Sequence, residues 1–133
     1  APDARGLVVE IVAADAVEIG GKIKVPAGRV VHVGDRASAV AFVQAHAPAG
    51  IACAYGTATA GDRGTATAGY RGTATAGDRG TATAGDGGTI AVRWWDDASR
   101  YRIVSADVGE GGIGAGVRYR VAVEGGKGRL VPA

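Results

Sequence analysis

The sequence predicts a mainly β protein: a short, flattened β-solenoid with a C-terminal antiparallel β cap and a small mixed α/β N-terminal part. Residues 56–87 carry this prediction, because they are four copies of one octapeptide, GTATAGDR, GTATAGYR, GTATAGDR and GTATAGDG. Thr and Ala alternate within each copy, which is the period of a strand with two unlike faces. Gly on both sides of Asp-Arg or Tyr-Arg indicates a turn between copies. A strict short period is typical of stacked-repeat proteins.

The length of the octapeptide indicates how the stack is built. Eight residues extend about 26 Å at ~3.3 Å per residue, too little to close a coil around packed side chains. Two octapeptides supply two flat strands and two corners, so we expect 16-residue coils with Thr outward and a thin interior of Ala and Gly. Such coils stack three pairs of side chains: Asp62 on Asp78, Arg63 on Arg79, and Tyr70 against Asp86.

An antiparallel meander is the alternative arrangement of the same repeats. It uses Asp-Arg and Tyr-Arg as two-residue hairpin turns, which favour Asn-Gly or a leading Gly. Arg at positive φ is uncommon, so the meander is the less favoured of the two.

The repeat also carries a family resemblance. AGYRGTAT and AGDRGTAT resemble the octapeptide of bacterial ice nucleation proteins, approximately Ala-Gly-Tyr-Gly-Ser-Thr-x-Thr. This resemblance covers about 32 of the 133 residues and implies a flattened β-solenoid with 16 residues per coil. The repeats and tail together, about 78 residues, resemble uncharacterised proteins of phages and gut bacteria. That second resemblance implies a phage-associated setting and brings no established activity.

Composition limits the classes of function. Gly accounts for 24 of the 133 residues, an excess that the repeats explain. The net charge is +2, and residues 88–133, with seven basic and five acidic side chains, hold the whole surplus. This balance does not indicate a nucleic-acid-binding protein. Cys53 is the single cysteine, so we expect no intrachain disulfide. We expect no membrane span, and a processed start because Met is absent.

Turn signals divide the chain into three parts. Residues 1–50 are predicted to hold strands and one short helix, residues 51–90 the octapeptide-repeat solenoid, and residues 91–133 the cap. Residues 51–55 precede the first octapeptide and are expected to form a degenerate turn of the stack.

In the first part, Gly20-Gly21 is a hairpin signal between AVEI and KIKV. Asp35 or Ser38 is expected to N-cap a helix over residues 37–46, which Pro48-Ala49-Gly50 ends. A polar arm is expected at residues 1–6. Strands are expected over residues 7–12, 16–19, 22–25 and 29–33.

The tail is predicted to form a small antiparallel sheet over the end of the stack. A cap is expected there because exposed strand edges at a solenoid end invite polymerisation. Trp94 and Trp95 belong to this cap, at the point where the Ala/Gly interior would otherwise be open. We expect at least one of the two rings to cover it. Strands are expected over residues 89–95, 100–108, 117–123 and 129–131.

Rows of Thr on a flat β-face are the first candidate site. Ice-binding proteins order water on regular Thr-x-Thr rows, although Thr is also an ordinary soluble strand former. Two coils give a small face, which serves either ice or a protein partner. The candidate residues are Thr57, Thr59, Thr65, Thr67, Thr73, Thr75, Thr81 and Thr83.

Arginines of the tail are the second candidate site. In Arg-Tyr-Arg, both arginines of a strand share one face, so two such strands predict a basic patch for phosphates or an acidic partner. A solvated outer sheet face explains the same pattern. The patch would consist of Arg93, Arg100, Arg102, Arg118 and Arg120.

No arrangement in the sequence indicates catalysis, a metal or a cofactor. His32 and His46 have no ligand-spaced partner. Asp96-Asp97 is interpreted as a turn, because adjacent strand residues face apart. GEGGIGAG at residues 109–116 leads into a predicted strand, whereas a dinucleotide-binding loop leads into a helix.

We therefore expect a non-catalytic structural or assembly protein that acts as an oligomer. The expected setting is a particle surface or a phage, virion or extracellular rather than cytoplasmic. The expected partner is another copy or another structural protein. The alternatives are an ice-binding or water-ordering protein, and binding of nucleic acid or an anionic surface through the Arg-Tyr-Arg strands.

Overall fold

A computed structural model describes residues 5–48 and 51–133. The protein is mainly β, as predicted, and its described residues contain one α-helix. Two compact units divide the chain, residues 1–46 and residues 47–133.

The first unit combines two strand pairs with a helix. Its elements are β1 (Gly6–Glu10), a 3-10 turn (Ala13–Asp15), β2 (Val17–Ile19), β3 (Lys22–Lys24), β4 (Arg29–Gly34) and α1 (Arg36–His46). β1 pairs antiparallel with β4, and β2 with β3. Gly20 and Gly21 have φ of 60° and 74°, as a type I′ turn requires. The predicted hairpin between β2 and β3 is therefore confirmed.

Asp35, one of the two predicted caps, begins α1. Its Oδ1 accepts a hydrogen bond from the backbone N–H of Ser38 at 2.7 Å. That bond is the main cause that holds the pKa of Asp35 below its ordinary value. The helix ends at His46. Residues 1–4 of the predicted arm and residues 49–50 of the predicted helix stop lie outside the described residues, and Gly6 belongs to β1.

The second unit contains two four-stranded sheets. Its strands are β5 (Thr57–Thr59), β6 (Thr65–Thr67), β7 (Thr73–Ala76), β8 (Thr81–Thr83), β9 (Thr89–Asp96), β10 (Arg100–Asp107), β11 (Tyr119–Glu124) and β12 (Lys127–Pro132). One sheet has the order β10-β9-β7-β5 and the other the order β12-β11-β8-β6. Successive octapeptides therefore alternate between the two sheets.

Repeat strands that are 16 residues apart pair in parallel. Thr57 lies opposite Thr73 in the pair of β5 and β7, and Thr65 lies opposite Thr81 in the pair of β6 and β8. β9 continues the first sheet in the same register, with Thr89 opposite Thr73. The predicted 16-residue offset is present, and the antiparallel meander is wrong because consecutive octapeptides do not pair with each other.

The corners of the stack repeat one turn. The backbone N–H of Gly64 donates to the carbonyl oxygen of Gly61 at 3.0 Å, and the same bond recurs in each later copy. The third residue of these turns has positive φ: 58° at Arg63, 49° at Arg71 and 56° at Arg79. Type II turns need positive φ at this position. The Arg conformation that counted against hairpin turns is thus adopted at the corners of a parallel stack.

The same corner already occurs before the first octapeptide. Tyr55 has φ of 58°, and the N–H of Gly56 donates to the carbonyl oxygen of Cys53 at 3.2 Å. The N–H of Tyr55 donates to the carbonyl oxygen of Tyr70 at 2.7 Å, so this corner is bonded to the coil that follows. Residues 53–56 therefore form the degenerate turn expected there.

Small side chains fill the space between the two sheets. Ala74, Ala82, Ile90 and Val92 are all fully buried. Glycine at the corners lets successive coils approach closely. A Cβ on Gly85 would lie 2.6 Å from the carbonyl carbon of Gly69, so no larger residue fits without a shift of the backbone.

The strands of the tail join the repeat sheets and do not form a sheet of their own. β9 pairs in parallel with β7 and antiparallel with β10. β11 pairs antiparallel with both β8 and β12. The expected antiparallel pairs are present, but β10 and β12 are outer strands and, within residues 51–133, nothing pairs with their outer edges. The tail therefore moves the open end of the stack outward without closing it.

Candidate functional site

The eight candidate threonines lie on the outer faces of the two repeat sheets. They alternate with alanines that face the interior, and none of the eight is buried. The hydroxyl oxygens of Thr65 and Thr81 lie 3.1 Å apart, so neighbouring coils bond through their side chains as well as their backbones.

The Thr rows are short. In the third row of the first sheet, Ala91 takes the place opposite Thr75. Thr89 keeps its hydroxyl, which donates to Asp107 Oδ1 at 2.7 Å. The regular double rows are therefore two strands deep on each sheet.

Aspartates at the corners bond from one coil to the next. Asp62 Oδ1 accepts from the backbone N–H of Asp78 at 2.9 Å and from Nη2 of Arg93 at 3.3 Å. Asp78 Oδ1 accepts from the backbone N–H of Trp95 at 3.1 Å. Asp62 therefore stacks on Asp78, as predicted, and the N–H and guanidinium donors offset the repulsion between the two carboxylates.

The five arginines of the predicted basic patch do not come together. Arg100 and Arg102 lie on the inner side of β10 and bind Asp96. Arg93 lies on the opposite face of that sheet, where its guanidinium carbon is 4.3 Å from the centre of the Tyr101 ring. The remaining two, Arg118 and Arg120, belong to the other sheet, just before and within β11.

Asp96 is a residue that the sequence analysis assigned to a turn without a role. It is 6% exposed, and Oδ2 accepts hydrogen bonds from Nε of Arg102 and, at 3.2 Å, Nε of Arg100. The bond from Arg102 is the main cause that lowers the pKa of Asp96, although burial acts in the opposite direction. The hairpin register, which places Arg100 opposite Asp96, is the signal that identifies this cluster.

The two tryptophans of β9 face opposite ways. Trp94 continues the buried row of Ile90 and Val92, is 5% exposed and lies beside Gly128 of β12. Trp95 is 49% exposed and meets the Tyr101 ring edge-on, with 4.8 Å between ring centres.

A groove opens where the outer strands β10 and β12 lie side by side. It consists of two clefts of about 670 and 400 Å³, which share Val104 and Gly128. Trp94 lines the larger cleft and Leu130 the smaller. Sequence analysis missed this groove, because it forms only where two separate hairpins meet.

The described residues contain no group of three or more His, Cys, Asp or Glu side chains placed to hold a metal ion. Within the same residues, no helix has the length and apolar character needed to cross a membrane. Comparison of the chain with family models, curated proteins and solved structures gives no match.

Proposed function

We propose that the protein is a non-catalytic structural or assembly protein that self-associates through the first coil of a short β-solenoid. The observation that carries this proposal is the pairing of β5 and β6, each of which has a partner strand on one side only within the described residues. Such edges present N–H and C=O groups to another chain.

The solenoid itself is supported by the parallel 16-residue register and the repeated corner. Backbone hydrogen bonds join each coil to the next at both levels, for example Thr73 N–H to Gly56 O at 2.9 Å and Thr81 N–H to Gly64 O at 2.9 Å. Parallel pairing with a constant offset is the geometry of a stack that a further copy continues.

Burial supports the first coil as the contact surface. Ala58 and Ala60 are half-buried, whereas Ala74 and Ala76, one coil further on, are 0% and 1% exposed. A second chain placed on the first coil would cover these two methyl groups. Two copies related by a two-fold axis would also close the assembly and prevent open-ended growth.

The oligomeric state of the full chain tests this proposal. Ala60 N–H donates to Thr75 O at 2.9 Å, so the alternation of strand groups directs the N–H of Thr59 away from β7. Thr59→Pro removes that edge donor without removing a bond between coils, and Thr59→Val is the matched control. We expect sedimentation at micromolar concentration to show a dimer for the wild type and Thr59→Val, and a folded monomer for Thr59→Pro.

Two outcomes would contradict the proposal. One is a wild-type chain that remains a monomer and unfolds cooperatively at micromolar concentration. The other is a Thr59→Pro variant that stays dimeric. The particle-surface or phage-associated setting and the virion or extracellular location belong to the same proposal, and the resemblance of the repeats and tail supports them.

Ice binding is the second candidate function, and the outward Thr residues in parallel register favour it. Neighbouring strands space the rows by about 4.8 Å, and both sheets carry them. An ice-recrystallisation assay at micromolar concentration separates this function from assembly. Inhibition by the wild type that is lost in Thr75→Lys would support ice binding, and no inhibition by the wild type would exclude it.

A further inference from the structure

We propose that the groove between β10 and β12 binds an extended segment of another protein, which adds to the outer edge of β10 as an antiparallel strand. This site lies at the opposite end of the sheets from the first coil. Its function is therefore separate from the self-association proposed above.

The hydrogen-bond phase of β10 leaves backbone groups free to pair. The N–H of Val108 donates to Gly88 O at 2.8 Å, which fixes one bonded pair of the ladder between β9 and β10. Bonded pairs alternate along antiparallel strands, so the even-numbered residues of β10 bond to β9. Ile103 and Ser105 direct their N–H and C=O groups to the open side. Ile103 is also 68% exposed.

The facing wall makes β10, and not β12, the strand that is extended. The N–H of Ala133 donates to Arg118 O at 2.9 Å, so the same alternation turns Gly128, Leu130 and Pro132 toward the open side of β12. Pro132 has no N–H to offer. Gly128 has no side chain, which leaves space in front of Trp94.

The charges of the groove select the direction and composition of the segment. Lys127 and Arg102 lie at one end, although Arg102 already binds Asp96, and Asp107 and Glu110 lie at the other. A strand antiparallel to β10 begins near Asp107 and ends near Lys127. The complementary segment therefore begins with a basic residue and ends with an acidic one.

The floor of the groove selects the inward side chains. Val104 and Leu130 are half-buried and Trp94 lies at the bottom. Small aliphatic residues at alternate positions fit there, because alternate residues of a strand share one face. The segment spans about six residues, or roughly 17 Å. Strand addition of this kind combines main-chain hydrogen bonds with alternate side-chain pockets.

Trp94 supplies a direct measurement of binding. The chain has two tryptophans, so full-length Trp95→Phe leaves Trp94 as the single reporter. The probe is acetyl-Lys-Thr-Val-Thr-Val-Glu-amide. We expect a saturable change in Trp94 emission, and at least about tenfold weaker binding when two strand-bonding amides of the peptide are N-methylated. Exchange of the terminal Lys and Glu is expected to weaken binding about threefold.

A matched pair of protein variants tests the edge of β10, again on the Trp95→Phe background. Ser105→Pro removes an outward N–H at a position where an edge strand tolerates Pro, and Ser105→Ala removes the hydroxyl alone. We expect Ser105→Pro to bind at least about tenfold more weakly with an unchanged circular dichroism spectrum. Ser105→Ala is expected to bind like its parent.

Three results would overturn the proposal. They are no saturable signal up to about 1 mM peptide, equal binding of the N-methylated peptide, and a wild-type dimer that Ser105→Pro dissociates while the peptide does not bind. The last would assign the groove to a second copy. If Ser105→Pro does not fold, the N-methylated peptide alone decides. Failure here leaves self-association through Thr59 unaffected.

Discussion

The repeats bury very small side chains, whereas the N-terminal unit leaves large ones exposed. Ala74 and Ala82 are fully buried. No side chain of residues 5–46 is buried, and Leu7 and Ile23 are 59% and 68% exposed. Two sheets that face each other at Ala-to-Ala distance exclude water from methyl groups, while a two-stranded pair with one helix encloses almost nothing. The packing of the backbone, more than the hydrophobicity of the residue, decides burial in this protein.

Ala74→Leu is expected to have the largest effect. The enlarged side chain would enter a fully buried position whose neighbours are also alanines, and overpacking typically costs ~1–3 kcal/mol. We expect a loss of about 3 kcal/mol in the free energy of unfolding, measured by urea titration of tryptophan fluorescence. Thr75→Leu, next to it and facing outward, is the control and should change that free energy by less than about 0.5 kcal/mol. Equal effects of the two changes would contradict the thin interior.

The corners give a second contrast between the two regions. Arg63 has positive φ without being glycine, whereas the N-terminal hairpin uses Gly20 and Gly21. A residue with a Cβ costs roughly 1–2 kcal/mol in the left-handed region. We therefore expect Arg63→Gly to be about 1 kcal/mol more stable than Arg63→Ala in the same urea titration. No difference between the two variants would mean that the corner relaxes out of this conformation.

Acidification is expected to weaken the repeat unit through Asp96. The bonds from Arg102 and Arg100 lower the pKa of Asp96 in the folded state, below the ~4 of an unfolded chain. The stabilisation is therefore present above about pH 4 and is lost as the pH falls through the folded-state pKa. Asp96→Asn should lower the Tm at pH 7 and flatten its decline toward pH 2, followed by tryptophan fluorescence. Parallel curves for wild type and Asp96→Asn would contradict this role.

Ile23→Ala is expected to have the smallest effect. An exposed position away from special contacts typically changes the free energy of unfolding by less than about 0.5 kcal/mol, whereas a buried Ile would cost ~2–5 kcal/mol. Because both tryptophans lie in β9, hydrogen exchange of residues 17–24 is the suitable measurement. A loss above about 2 kcal/mol would mean that another surface covers Ile23 in solution and would break the comparison.

The sequence by itself determined the repeat geometry and one hairpin. The 16-residue offset, the outward Thr and inward Ala, and the stacking of Asp62 on Asp78 follow from alternation and strand spacing. These are local properties, and every coil meets a neighbour of nearly the same sequence. The Gly20-Gly21 hairpin follows from backbone conformations that few other residues adopt.

Only the tertiary structure decided what the irregular segments contact. Asp96 gathers Arg100 and Arg102 because a hairpin register brings them together, while Arg93 points to the other face of the same sheet. The groove of β10 and β12 depends on two hairpins that extend different sheets. Contacts between segments distant in sequence and unlike in composition have no periodic signal. Their partners are set by which strand edges remain open after the repeats have stacked.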